Sequence, residues 1–247
     1  MSAIPAPENS SRPMPIERHP LRPFFPEGAE ILVLGSFPPP RTRWRMEFFY
    51  PNYQNDFWRI VGLVFFGDSE RFLLPAAHTE AGVPERKGAR NFGTAGDAET
   101  ERMVKANKGM VRKGGFDLSA IKAFLTERGI ALYDAGLEVV REKGNASDQH
   151  LRIVVPLNVS DVLDRLPKCS KIVLTGEKAS ETILAQLETG IGKKTLKPGE
   201  SSLFHVAGRK VEVCRVCSPS RAYPLPIVQK AEIYRKVFLG NRTGWEG

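Results

Sequence analysis

At 247 residues the chain is long enough to bury one large core, and its 41% hydrophobic and 26% charged composition is that of a globular protein. No apolar run approaches the roughly 18 residues a membrane-crossing helix needs, and the opening M-S-A-I-P-A-P-E-N-S-S-R-P-M-P lacks the apolar centre of a secretory signal, so a cytoplasmic location is expected. A net charge of +8 and a pI near 9.5 favour a polyanionic partner through steering and counterion release, or else describe only a basic, well-solvated surface.

Residues 1–29 carry many prolines and no sustained periodicity, and read as a flexible lead in which only Leu21, Phe24 and Phe25 look able to dock. Residues 30–35 form a first strand, apolar and β-branched enough to be buried and parallel. The loop that follows, G-S-F-P-P-P-R-T-R-W-R-M-E-F-F-Y-P-N-Y-Q-N-D-F-W from Gly35 to Trp58, is long, proline-stiffened, basic and aromatic. It leads into a helix from about Asn55 to Phe66, with a further helical turn expected within 68–74. From Pro75 to Gly115 the composition turns to Gly, Ala, Lys, Arg and Glu, which reads as a basic insertion with a polar helix near 97–108.

Asp117 then caps a helix from Leu118 to Arg128 that Gly129 ends, Ile130 to Tyr133 is the second strand, and 136–150 reads as polar connection. Asn158 precedes a short helix over 159–166. Lys171 to Thr175 is the third strand and Gly176 the turn into a helix over 178–187. Leu203–Val206 and Lys210–Val216 pair around an A-G-R turn, and a helix from Pro226 to Phe238 closes the fold. Strands alternating with helices imply one three-layer α/β/α domain over 30–240, its mostly parallel central sheet having about four strands. Loops starting at Gly35, Asp134, Gly176 and Ser218 then converge at the carboxyl edge, where such folds place ligands.

Arg41, Arg43 and Arg45 alternate with Thr42 and Trp44, and Arg86, Lys87, Arg90, Lys105, Lys108, Arg112 and Lys113 crowd the insertion. Cations interleaved with stacking side chains suit nucleic acid better than a membrane surface. Cys214 and Cys217 form a C-x-x-C, yet with Cys169 they supply too few ligands for a four-cysteine site and read as buried strand thiols in a reducing compartment. His19, His78, His150 and His205 share no ligand spacing and read as surface or strand residues.

Five segments in order, L-G-S-F-P, F-Y-P-N-Y-Q-N-D-F-W-R-I, G-I-A-L-Y-D-A-G-L-E-V-V-R-E-K-G-N-A-S-D, I-V-L-T-G-E-K-A and C-S-P-S-R-A, resemble the uracil-DNA glycosylase superfamily, above all its hypoxanthine-DNA glycosylase branch, with the mismatch-specific uracil glycosylases next. The resemblance covers residues 30–60 and 129–238. It implies a monofunctional glycosylase, a monomer without metal or nucleotide cofactor, that flips a damaged or mismatched base out of DNA and hydrolyses its N-glycosidic bond. The position two after the motif glycine usually holds a water-positioning Asp or Asn; here it is Phe37. The hypoxanthine branch also lacks that residue and relies on an asparagine matched by Asn55.

On this resemblance Asn55 is the catalytic candidate, or simply a helix cap. Gly35, Ser36, Phe37, Tyr50 and Asp134 are base-pocket candidates. Tyr50 could stack on the flipped base or pack the loop, Phe37 could stack or fill the vacated space, and Asp134 could read the base or cap the next segment. Arg41, Arg43, Arg45 and the Ser218, Pro219, Ser220 and Arg221 loop are expected on DNA, with turn hydrogen bonding the plainer role for Ser36 and Ser218. Arg221 could instead pair with a carboxylate, and Asp56 is an alternative cap. Many members begin the last loop with a histidine, where this chain has Val216. An inert nucleic-acid-binding module on the same fold is the second expectation.

Overall fold

A computed structural model describes residues 14–74, 114–142, 148–187, 195–206 and 208–240. In chain order it contains β1 (Ile16–Arg18), β2 (Ile31–Gly35), α1 (Phe57–Phe66), β3 (Leu73–Leu74), β4 (Gly115–Phe116), α2 (Leu118–Glu127), β5 (Ile130–Asp134), β6 (Gly136–Arg141), β7 (Leu151–Pro156), α3 (Val159–Arg165), β8 (Lys171–Thr175), α4 (Glu177–Leu184), β9 (Ser201–Val206), β10 (Arg209–Val216) and α5 (Ile227–Leu239).

The central sheet has the order β5-β2-β8-β10-β9. Its first four strands are mutually parallel and β9 runs antiparallel to β10, so the sheet is five-stranded and mixed rather than of about four strands. Both faces are covered, which is why β2 and β8 read as unbroken apolar runs. Leu32, Leu34, Ile172 and Leu174 point into a layer shared with α3 and α4. Val33 and Val173 point the other way, into a layer built by α1, α2 and α5. Helix α1 is enclosed there, with Phe57 to Gly62 all buried, and Gly67 ends it in the left-handed conformation at φ 68°, its N–H reaching the carbonyls of Gly62 and Leu63. Asp117 and Asn158 cap α2 and α3 through their side chains, as their positions predict.

Three expectations are corrected. Residues 14–29 are not a loose lead: β1 pairs antiparallel with β6, and Phe24 exchanges both backbone hydrogen bonds with Leu132 on β5. The stretch from Gly136 is strand, paired antiparallel with β1 on one side and, through register shifts around Glu138, with β7 on the other, so that a second sheet of order β1-β6-β7 forms and buries Val139 and Val140. Residues 68–74 make turns and the short β3 rather than a helical turn. The basic insertion, apart from Gly114 and Gly115, lies outside the described residues.

Candidate functional site

The parallel register sets Gly35, the last residue of β2, beside Asp134, the last of β5. Thr175 ends β8 next to them, and its Oγ1 donates to the Leu34 carbonyl (3.2 Å). Tyr50 enters from the long loop and bonds through its hydroxyl to that same Oγ1 (2.8 Å). A β-carbon on Gly35 would overlap Asp134 Oδ1 and lie 3.3 Å from the Tyr50 hydroxyl. Only glycine therefore admits this approach of a carboxylate and a phenol to one point of backbone. Tyr50 is held there with φ 51°, a left-handed conformation that costs a tyrosine energy, and its ring stacks on Phe57 at 3.7 Å between centroids.

Asp134 is buried, and its Oδ2 accepts from Nε2 of His19 at 2.9 Å. For His19 this corrects the expectation of a surface or strand residue, which His205, exposed on β9, meets: the His19 side chain is 3% exposed, with the rings of Tyr133 and Phe37 at 4.8 and 5.3 Å. Burial first, and then the neighbouring Asp134 charge, push the Tyr133 phenol above its ordinary pKa. Ser36 is half-buried, and its carbonyl accepts from Gly136 N–H.

Asn55 lies against the last loop: it forms a backbone bridge with Ser220, and Asp56 N–H donates to the Pro219 carbonyl. Its Oδ1 accepts from Phe57 N–H at 2.9 Å, satisfying the first N–H of α1 from just ahead of the N-cap residue Asp56, whose own side chain makes no cap bond, while the Asn55 Nδ2 has no partner among the described residues. Asp56, buried, accepts from Arg221 Nε at 2.9 Å, with Arg59 at 3.9 Å. Lys230, also buried, donates to the Ser220 carbonyl at 2.7 Å. Burial holds the Lys230 pKa below the usual lysine value, against the pull of Asp56 and with a smaller push from Arg221. Ser218 Oγ accepts from Ser220 N–H, so that hydroxyl serves its own turn. The carboxylate-pairing alternative for Arg221 is thus realised, and one negative charge ties the 218–221 loop to the start of α1.

Phe37 does not stand free to stack on a base: it is buried with Val139 and Leu151, under the Arg141 guanidinium at 5.5 Å. Arg41, though exposed like Arg43 and Arg45, donates from Nη1 to both carboxylate oxygens of Glu47 (2.8 and 2.9 Å) and lies 4.7 Å over Trp44. A cavity of about 280 Å³ opens beside Phe37 and the Pro38–Pro40 run, rimmed by Arg18, Arg41 and Trp44. Sequence reading missed His19, Thr175, Arg59 and Lys230. Thr175 was within reach, since it ends an apolar strand ahead of a glycine turn. His19 carries no local signal.

All three cysteines are free and buried, as expected. Burial, then the Glu212 charge, push the Cys214 thiol from 9.0 up to about 12. The unfolded thiol therefore loses its proton near pH 9 while the folded one keeps it, so this group's stabilising contribution falls as pH rises from about 9 to about 12. A chromogenic disulfide reagent at pH 8 should find no fast thiol in the native protein and three after denaturation. Rapid native labelling of Cys214 or Cys217 would contradict this burial.

No group of three or more potential metal ligands occurs among the described residues. No helix among them is long and apolar enough to cross a membrane. The fold defines a three-layer α/β protein with a polar site at the carboxyl edge of its sheet. No family model matches the chain, and no curated protein matches it. The solution NMR structure of a provisionally assigned uracil DNA glycosylase from Methanosarcina acetivorans is similar over 90% of this chain and 98% of its own, with a TM-score of 0.46 and 19% identity.

Proposed function

We propose that the protein is a DNA glycosylase that hydrolyses the N-glycosidic bond of a flipped deaminated base, hypoxanthine or uracil. The observation that supports this reading most is the meeting of Gly35, Tyr50 and Asp134, drawn from separate motifs, around one point at the sheet edge. Extruding a base costs a few kcal/mol and is easiest at a lesion or mismatch. The base then leaves as an anion from an oxocarbenium-like sugar, and preorganised donors lower that barrier. The Asn55 Nδ2 is such a donor, while its Oδ1 keeps α1 capped. An amide cannot take a proton as a general base, so its part is to orient water or to bond the base or phosphate. Arg43, Arg45 and the 218–221 loop would grip the backbone, and the reaction as proposed uses no cofactor.

One observation favours the inert binding module on the same fold: the Asn55 carbonyl already has its cap to hold, and Phe37 is packed where a catalytic Asp or Asn usually stands. The deciding experiment is single-turnover base release from duplexes with one hypoxanthine or uracil, using the parent, Asn55→Ala and Asn55→Ser. Serine still caps a helix but has no amide. Release by the parent and a loss of about 100-fold or more in both variants, at unchanged DNA affinity, is expected. Release retained by Asn55→Ser would reduce Asn55 to a cap, and DNA binding without release by the parent would establish the inert module.

A further inference from the structure

The cavity of about 280 Å³ beside Phe37 is separate from the Gly35–Asp134 site and from the 218–221 loop. It adjoins the former through one ring: Phe37 meets His19 edge-to-face at 5.3 Å and also lines the cavity. Its walls are fixed. Trp44, 8% exposed, donates from Nε1 to the Pro39 carbonyl at 2.7 Å, which pins the indole to the Pro38–Pro40 run. The Arg41 guanidinium lies over that indole at 4.7 Å, and Glu47 holds it there through Nη1 while 60% of the side chain stays exposed. Strand β1 supplies Glu17 and Arg18. Arg141, itself buried, donates from Nε to both Glu17 oxygens (3.0 and 3.1 Å) and from Nη2 to the Pro38 carbonyl, so the carboxylate is clamped to the proline run. Glu17 is 42% exposed, and an ionised carboxylate accepts at about four positions, so lone pairs remain for a further donor.

We propose that this cavity is a subsite for an unpaired guanine in a single-stranded stretch of DNA. Its volume is just below the roughly 300–1,000 Å³ of pockets that enclose drug-sized molecules, which suits one nucleobase and not a base pair. A guanidinium already held over an indole is a preorganised platform, since unpaired bases stack on aromatic rings and on guanidinium planes alike. The carboxylate chooses the base. Guanine alone presents two adjacent donors, N1–H and an N2 amine hydrogen, which match the two oxygens of a carboxylate. Adenine and cytosine set a lone pair beside their amine, and thymine flanks its single N–H with carbonyls, so each brings an acceptor against Glu17. Pairing in a duplex consumes both guanine donors, so the ligand is an unpaired strand. Arg18, 86% exposed on the rim, and the exposed Arg43 and Arg45 supply charge for the flanking phosphates. The subsite does not depend on the glycosylase reading, because an inert binding module would use it equally.

The test is an anisotropy titration of the full chain against labelled oligothymidylate strands that carry one central guanine, adenine or 1-methylguanine, or no substitution. No base release is measured. The guanine strand should bind about 10-fold more tightly than the all-thymine strand, and the adenine and 1-methylguanine strands no more than about 3-fold, because they stack without the paired donors. Annealing the guanine strand to its complement should remove its advantage. Arg41→Ala, at an exposed position, should bring the guanine preference to within about 3-fold by removing the platform. Glu17→Gln, which still accepts from Arg141 but offers one oxygen in place of two, should make the guanine and adenine strands bind alike. Arg18→Ala should weaken every strand together and leave the ratios alone, as loss of a phosphate contact does. Equal binding of the guanine and all-thymine strands by the parent, or a guanine preference that survives in both Arg41→Ala and Glu17→Gln, overturns the proposal and leaves the glycosylase reading as it stands. Guanosine monophosphate binding as tightly as the guanine strand would overturn it too, since the cavity would then serve a free nucleotide.

Discussion

Replacing Gly35 with alanine is expected to lower folding stability by about 1–3 kcal/mol, the range for forcing a methyl into a packed site, and, on the glycosylase reading proposed above, to abolish base release. The new β-carbon would overlap Asp134 Oδ1 and crowd the Tyr50 hydroxyl. Strand β2 cannot retreat, because β5 and β8 hold it in register on both sides. The carboxylate must swing, and in swinging it leaves His19 buried beside an acceptor it no longer reaches. Urea unfolding would measure the stability term and single-turnover release the functional one. A second substitution, Asp134→Ala, should return most of the lost stability without returning activity, since the two positions share one contact and cannot be additive. An alanine variant as stable and as active as the parent would mean that nothing at the site depends on this approach.

The largest effect on stability should come from Trp58→Ala, at about 3–5 kcal/mol. Trp58 is fully buried, with Phe57, Phe72, Phe48 and Tyr50 at ring-to-ring distances of 5.0 to 6.5 Å, and its Nε1 donates to the Phe49 carbonyl at 3.1 Å. Removing it opens a cavity among rigid rings and orphans a buried carbonyl, and domains of this kind have only about 5–15 kcal/mol in hand. Trp58→Phe should cost less, because it refills most of the space and forfeits mainly the hydrogen bond. Denaturant midpoints of the three proteins give the ranking, and a loss below about 1 kcal/mol for alanine would show that the layer closes over the gap.

What the sequence disclosed was decided by range. The apolar runs of β2 and β8, the caps at Asp117 and Asn158 and the β9–β10 hairpin are all signalled within a few residues, and all are found. G-L-E-V-V-R reads as polar connection because its strand character comes from its partners, β7 across a bulged register and β1, more than 100 residues earlier, rather than from its own alternation. Asp134 was recognisable as a site residue from its place at a strand end. Its partner His19 was not, since 115 residues separate them and only the β1–β6 pairing brings the imidazole in. The arginines of the long loop show the converse limit: their clustering suggested three free cations, but Glu47, two positions beyond the cluster, takes Arg41. For Tyr50, identity is legible and conformation is not, because the left-handed backbone accompanies side-chain contacts with Thr175, 125 residues away, and Phe57 that no local pattern signals.

The bridge between Phe24 and Leu132 bears on how this molecule avoids its neighbours. A parallel sheet ends at each side in a row of unused donors and acceptors, a template for another chain to add a strand. At β5 the chain fills the middle of that row with its own residue 24, so addition there would first have to peel off a segment anchored on both sides of the bridge, by Ala29 packed in one core layer and by β1 on β6. The sheet's far border is β9, where Leu203 is exposed. Growth of the sheet is thereby restrained in one direction by the same strap that sets His19 against Asp134.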